Sequence, residues 1–293
     1  NLGSTLQNTF AAGNRVLDIL EEEPMVKEIN GQKEIAFHGA KAEHVTFSYG
    51  QETILKDVST DIKENSVVGI IGKSGSGKST EALKIAGELA DSNLPVMLIV
   101  PDQSTFECEK TLLDVFGAKK AEKVLVFGFS RLCKYVFELT GNSADNVIDE
   151  GTRAVVMSLA LEELTEKLRL LSSKGSKSLV DVMLQTVSDL KKSSVTSDEL
   201  RSASRLVDDE TLKTKLNETA LITDTFDALV SQSYIDPMDD LTRLDDILQK
   251  NNILRDYTII FDGFSGFTMQ QLKVVRSLIR DCTATYFTLT LDP

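Results

Sequence analysis

Apolar residues in this chain fall into two patterns, short unbroken runs and longer stretches at three- and four-residue spacing. Val67-Val68-Gly69-Ile70-Ile71, Leu94 to Val100 and Tyr257-Thr258-Ile259-Ile260-Phe261 are continuous and strand-sized. Of these, Tyr257 to Phe261 reads as a buried strand. Glu81 to Leu89 follows the first run with helical spacing. Residues 142–250 interrupt the strand series with helical patterning, including a capping box at Thr196 to Glu199 and an apolar stripe through Leu216, Ala220 and Phe226. Core packing explains that stripe, and no chemistry is assigned to it. The order of elements predicts an α/β fold, a parallel sheet with helices on both faces, carrying a helical insertion.

Composition narrows the class. The 293 residues, 41% apolar and 26% charged, suffice for one large or two medium domains with a real core. No apolar run approaches the roughly twenty residues that span a bilayer, so no transmembrane segment is expected. No signal peptide opens the chain, and its start at Asn1 rather than methionine reads as that of a fragment. Cys108, Cys133 and Cys282 are odd in number and widely separated, which fits a reducing cytoplasm rather than a disulfide framework or a CxxC metal site. His38 and His44 read as ordinary structural or surface residues. A net charge of −13 excludes a long-range field attracting DNA. Basic spots at Lys119, Lys120 and Lys123, and at Lys191 and Lys192, could touch a phosphate backbone, but such runs are ordinarily solvated surface. DNA contact is therefore expected to be local or shared with a partner.

The candidate chemistry lies after the first strand. Gly72-Lys73-Ser74-Gly75-Ser76-Gly77-Lys78-Ser79 matches GxxxxGK[ST] at every fixed position, with Thr80 following, and it stands between a strand and a helix as the motif requires. Glycines let backbone amides converge on phosphates, and the helix N-terminus favours negative charge. Lys78 would reach the outer phosphates, and the Ser79 hydroxyl suits magnesium. The expected ligands are ATP and magnesium, on a P-loop NTPase fold of the RecA-like kind. Asp262 ends a buried-strand run, so its carboxylate is read either as a second magnesium ligand beside the loop or as a turn-former before Gly263.

Two family resemblances meet at this loop. Upstream, Ala11 to Leu20 and His44-Val45-Thr46-Phe47-Ser48-Tyr49, leading into Ile54 to Ser59, resemble the ATP-binding domain of an ABC exporter. That resemblance implies membrane subunits as partners and a Tyr49 that stacks on adenine, against its reading as an ordinary strand aromatic. Past the loop the pattern stops: no LSGGQ-like signature, no apolar strand ending in Asp-Glu and no histidine after His44 follows. From about residue 68 to the end, the chain resembles the N-terminal part of the B subunit of the bacterial AddAB helicase/deoxyribonuclease, with a UvrD-like helicase core. The match rests on Leu98 to Phe106, Val126 to Leu132, Phe261 to Thr268 and Leu289 to Pro293, in family order. A recombined gene, an assembly error and a chimera all explain a join in a loop that both families share, and a chimera is the favoured reading. The implied organisation is an exporter-like segment over 1–66, a helicase-like core over 67–141 and 251–293, and the helical insertion over 142–250.

The second resemblance implies an ATP-binding module of a helicase-nuclease that processes DNA double-strand breaks, working with a partner motor subunit. Ser104, Thr105, Ser130 and Arg131 match positions where related motors touch single-stranded DNA, and duplex ends are a further expected target. Helix capping by Ser104 or Ser130 is the competing reading. An active motor carries a glutamate after the magnesium aspartate, where this chain has Gly263. The arginines that a second motor lobe would supply, and the nuclease region, are likewise not in this sequence. Nucleotide binding with weak or no hydrolysis is the expectation; the alternative is an ABC transporter ATP-binding fragment.

Overall fold

Two of the three continuous apolar runs form inner strands of a five-stranded parallel sheet, and the first, Val67 to Ile71, forms a strand at the end of the described order, with Val67 and Ile71 more than half exposed. In the computed structural model the described residues are 40–49, 52–62, 67–72, 76–143, 146–171 and 177–290, with 40–49, 52–62 and 290 described as backbone alone. All lie within the compact unit Phe37–Pro293. Strands β1 (Ala40–Tyr49) and β2 (Glu52–Ile62) form their own antiparallel pair, running from Ala40 opposite Ile62 to Tyr49 opposite Glu52. The main sheet contains β3 (Val67–Gly72), β4 (Val96–Ile99), β5 (Val124–Phe127), β6 (Thr258–Phe261) and β7 (Ala284–Thr290) in the order β3-β7-β6-β4-β5. The last strand in sequence thus lies between the strand that enters the glycine-rich loop and the strand that ends at Asp262.

Helices cover both faces because successive strand residues point to opposite sides. Met97, Ile99, Ile259 and Phe261 pack against α4 (Phe129–Thr140), α9 (Asp240–Lys250) and α10 (Met269–Asp281). Val96, Leu98, Val100 and Ile260 pack on the other face against α1 (Lys78–Asp91) and α2 (Thr105–Phe116). Every residue of β4 and of β6 is buried. That explains why neither run alternates apolar with polar. A short helix, α3 (Ala118–Ala121), leads into β5.

Between α4 and α9 the chain builds a separate helical core. It is formed by α5 (Glu150–Glu163), α6 (Lys177–Lys192) and α8 (Glu210–Ser231), around Met157, Met183, Ile222 and Phe226. The expected stripe is there, with Ala220 and Phe226 fully buried and Leu216 half-buried. Full burial of an aromatic side chain such as Phe226 contributes about 1.5–3 kcal/mol. The small helix α7 (Ser197–Ser204) begins at the expected capping box: Glu199 N–H donates to Thr196 Oγ1 at 3.2 Å, and Thr196 N–H donates to Glu199 Oε2 at 2.7 Å. Although α9 falls within the stretch patterned as insertion, its Leu244 and Leu248 join the core of the sheet.

Of the basic spots, Lys119, Lys123 and Lys192 are exposed, as the surface reading expects, whereas Lys191 departs from both readings. Lys191 is neither surface nor phosphate-facing, since its side chain is 9% exposed and pairs with Asp227, Asp236 and Asp239 at 2.8–2.9 Å. Lys120 pairs with Asp91 at 2.6 Å, and Lys123 donates to Asn93 Oδ1 at 2.7 Å. Local pairing, invisible in a run of lysines, engages Lys120, Lys123 and Lys191.

Candidate functional site

The glycine-rich loop joins the end of β3 to the start of α1. Gly77, at the N-cap of α1, adopts φ 81° and ψ 13°, a left-handed conformation that costs a residue with a Cβ about 1–2 kcal/mol. Lys78 opens the helix and donates through Nζ to Gly72 O at 3.0 Å, which ties the two ends of the loop together. Glu81 N–H donates to Gly77 O at 3.0 Å, so the helical ladder starts at once. Ser76 is half-buried, whereas Ser79 and Thr80 are exposed on the first turn. Lys73, Ser74 and Gly75 lie outside the described residues, as does the side chain of Tyr49, the last residue of β1.

Asp262 follows β6 directly. Its N–H donates to Ile99 O at 2.9 Å, which extends the ladder one residue beyond the strand and fixes the direction of its side chain. The residue is 9% exposed. One carboxylate oxygen, Oδ1, accepts from two hydroxyls: Ser79 Oγ at 3.1 Å and Thr288 Oγ1 at 2.6 Å. Residues 183 positions apart therefore meet at the C-terminal edge of the sheet. Among the described residues no cation forms an ion pair with Asp262. Burial, followed by the negative charges of Asp262 and Glu109, pushes the Cys108 thiol up to about 11.

Gly263 has φ 78° and donates its N–H to Thr288 Oγ1 at 3.3 Å. A Cβ at this position would stand 3.5 Å from Pro101 Cδ. The residue after Asp262 thus lacks a carboxylate and holds a backbone conformation that side-chain-bearing residues rarely adopt. Behind this turn Phe129, Phe261, Phe264, Phe267 and Phe287 interlock; Phe261 and Phe287 stack with centroids 4.8 Å apart. The aromatic cluster gives the strand ends a rigid apolar backing.

The other four singled-out residues occupy two neighbouring helix starts. Ser104 sits at the N-cap of α2 without a side-chain cap bond, and Thr105 Oγ1 donates to Asp102 O at 3.0 Å. Ser130 lies inside the first turn of α4, where its N–H donates to Asp102 Oδ1 at 3.2 Å. Neither serine caps a helix through its side chain, although Ser104 occupies the N-cap position of α2; the Asp102 carboxylate, reaching across from beyond β4, accepts from the first turn of α4. Arg131 pairs with Glu109 of α2 and donates to Val126 O at 3.3 Å. Ser130 also lines a cleft of about 580 Å³ that has Phe129, Phe137 and Leu241 in its wall and Lys134, Lys192 and Arg243 around it; Ser104, Thr105 and Arg131 do not line it.

Sequence reasoning missed Thr288 and Asp102. The signal for Thr288 is slight, because it is one of three threonines in β7, with Thr285 and Thr290, and nothing local sets it apart. Asp292 and Pro293, expected at the end of that strand, lie outside the described residues.

An open parallel sheet with helices on both faces, and polar side chains gathered at the C-terminal ends of its strands, defines an α/β protein consistent with a RecA-like fold. Residues 69–293 match the family described as ADDB, N-terminal, and the chain belongs to that family. It is similar to the B subunit of the ATP-dependent helicase/deoxyribonuclease of Clostridium acetobutylicum, 34% identical over 226 residues, which is 76% of this chain and 20% of the relative. The proteins of the same description from Caldanaerobacter subterraneus subsp. tengcongensis and Clostridioides difficile are 34% and 31% identical, with the same shares covered. The chain spans about a fifth of the length of the curated relatives it matches. The helicase-subunit resemblance is thus supported, whereas the exporter resemblance and the chimera find no support in these relatives. Among the described residues no helix is long and apolar enough to cross a membrane.

Proposed function

We propose that this chain is the nucleotide-binding part of a helicase-nuclease B subunit, a module that binds ATP with magnesium and turns it over weakly or not at all. The observation that carries this reading is the meeting of Ser79 and Asp262 at 3.1 Å beside the start of α1. A hydroxyl and a carboxylate are the hard oxygen donors that magnesium takes. They converge where a helix N-terminus and Lys78 favour phosphate, so the residues present fit the ion. A magnesium ion held there would supply positive charge to offset that of the phosphates.

The chain's own residues have separable tasks. Lys78 would compensate the outer phosphates, and Ser79 and Asp262 would hold the metal. No carboxylate follows Asp262 to orient an attacking water, and the left-handed Gly263 leaves no direct way to place one. Ser104, Thr105, Ser130 and Arg131 form a neighbouring surface for a DNA backbone, with Glu109 the anion that a phosphate displaces from Arg131. By resemblance the intact subunit joins a partner motor subunit in processing double-strand breaks, on single-stranded DNA or duplex ends.

Titration of the purified chain with magnesium-ATP, beside Lys78→Ala and with released phosphate read in the same samples, tests the reading. Saturable binding weakened at least about tenfold in Lys78→Ala, with phosphate at background, is expected. Failure of both proteins to bind would overturn it.

A further inference from the structure

We propose that Thr288 is a positioning residue for the metal-binding carboxylate, and that its hydroxyl sets how much magnesium strengthens nucleotide binding. The inference rests on the nucleotide reading above and adds to it a residue outside both the glycine-rich loop and the Asp262 strand end. Thr288 lies in β7, the strand between the loop strand and the Asp262 strand, and pairs with Ile70 of β3. It is 5% exposed. Its single hydroxyl performs two tasks at once: it donates to Asp262 Oδ1 at 2.6 Å and accepts from Gly263 N–H at 3.3 Å. The strap therefore holds both members of the Asp262-Gly263 turn, the carboxylate through its side chain and the glycine through its backbone.

The consequence follows from the identity of the shared atom. Ser79 and Thr288 donate to the same oxygen. A cation that takes Ser79 and Asp262 as ligands displaces the Ser79 bond, whereas the Thr288 bond is free to persist and keep the carboxylate aimed. Partners of this kind behind a metal ligand typically change metal affinity about 10- to 100-fold. A threonine that merely satisfies buried polar groups would affect stability and leave the metal dependence of binding untouched.

The two roles separate when ATP affinity is measured with magnesium and with EDTA in place of it, for the chain and for Thr288→Val and Thr288→Ser. Thr288→Val is expected to lose about tenfold of the gain that magnesium confers while keeping the metal-free affinity; Thr288→Ser, which retains the hydroxyl, is expected to match the parent. If the valine variant does not fold, Thr288→Ala beside Thr288→Ser carries the same comparison. A magnesium gain in Thr288→Val equal to that of the parent overturns the role of Thr288 alone. An unaltered chain that binds no ATP overturns the nucleotide reading and this inference with it.

Discussion

Two buried carboxylates, Asp236 in the helical layer and Asp262 at the edge of the sheet, are completed in opposite ways. Asp236, with a side chain 1% exposed, accepts from Lys191 Nζ at 2.9 Å, from Arg153 Nη2 at 3.3 Å and from Met238 N–H at 3.0 Å. Burial alone would lower the affinity of Lys191 for its proton, but Asp239, Asp227 and Asp236 together hold its ammonium above the ordinary range. Asp227, Asp236 and Asp239 converge closely enough to hold a metal ion, yet the lysine already supplies the positive charge. Asp262 has hydroxyl partners instead. The same residue type is thus structural where the fold furnishes a counter-charge, and available for chemistry where it furnishes only neutral donors.

The sharpest way to break this comparison is Asp236→Ala. It leaves the buried Arg153 without its carboxylate, takes one of three carboxylates from Lys191, and is expected to cost about 3–5 kcal/mol in urea unfolding. Asp262→Asn, which removes a charge with no ion-pair partner among the described residues, is expected to stay within about 1 kcal/mol of the parent. Equal losses in the two variants would erase the distinction. Gly263→Ala comes next: a Cβ at φ 78° is expected to cost about 1–2 kcal/mol and to leave phosphate release at background, read by thermal melting and a phosphate assay. A smaller effect than that of Gly263→Ala is expected from Thr268→Ala. It removes the capping box of α10, in which Gln271 N–H donates to Thr268 Oγ1 at 3.2 Å, and should cost about 1 kcal/mol with no change in ATP affinity. A shift in that affinity would mean that the helix and the site are coupled.

Legibility followed the range of the interactions. The helix after the loop could be anticipated because the glycine, lysine and serine spacing is a local arrangement, and Gly77 indeed takes the left-handed conformation its position demands. The β4 and β6 strands were readable because full burial leaves an unbroken apolar run. The role of Lys191 was not, since a lysine beside another lysine looks the same whether it faces water or three carboxylates from later segments. Ser104 and Ser130 suited helix caps by residue type, but the carboxylate that meets the first turn of α4 came from Asp102, 28 positions earlier than Ser130.

By itself, then, the sequence determined the α/β alternation, the helix start after the loop and the existence of its buried strands, to within one or two residues at their ends, because each depends on periodicity or on backbone preferences over a few residues. Only the tertiary structure decided that β7 enters between β3 and β6, bringing Thr288 to Asp262 and Asp262 to Ser79. Strand order is a property of how whole elements pack, and no single segment carries a local pattern that encodes its neighbour in the sheet.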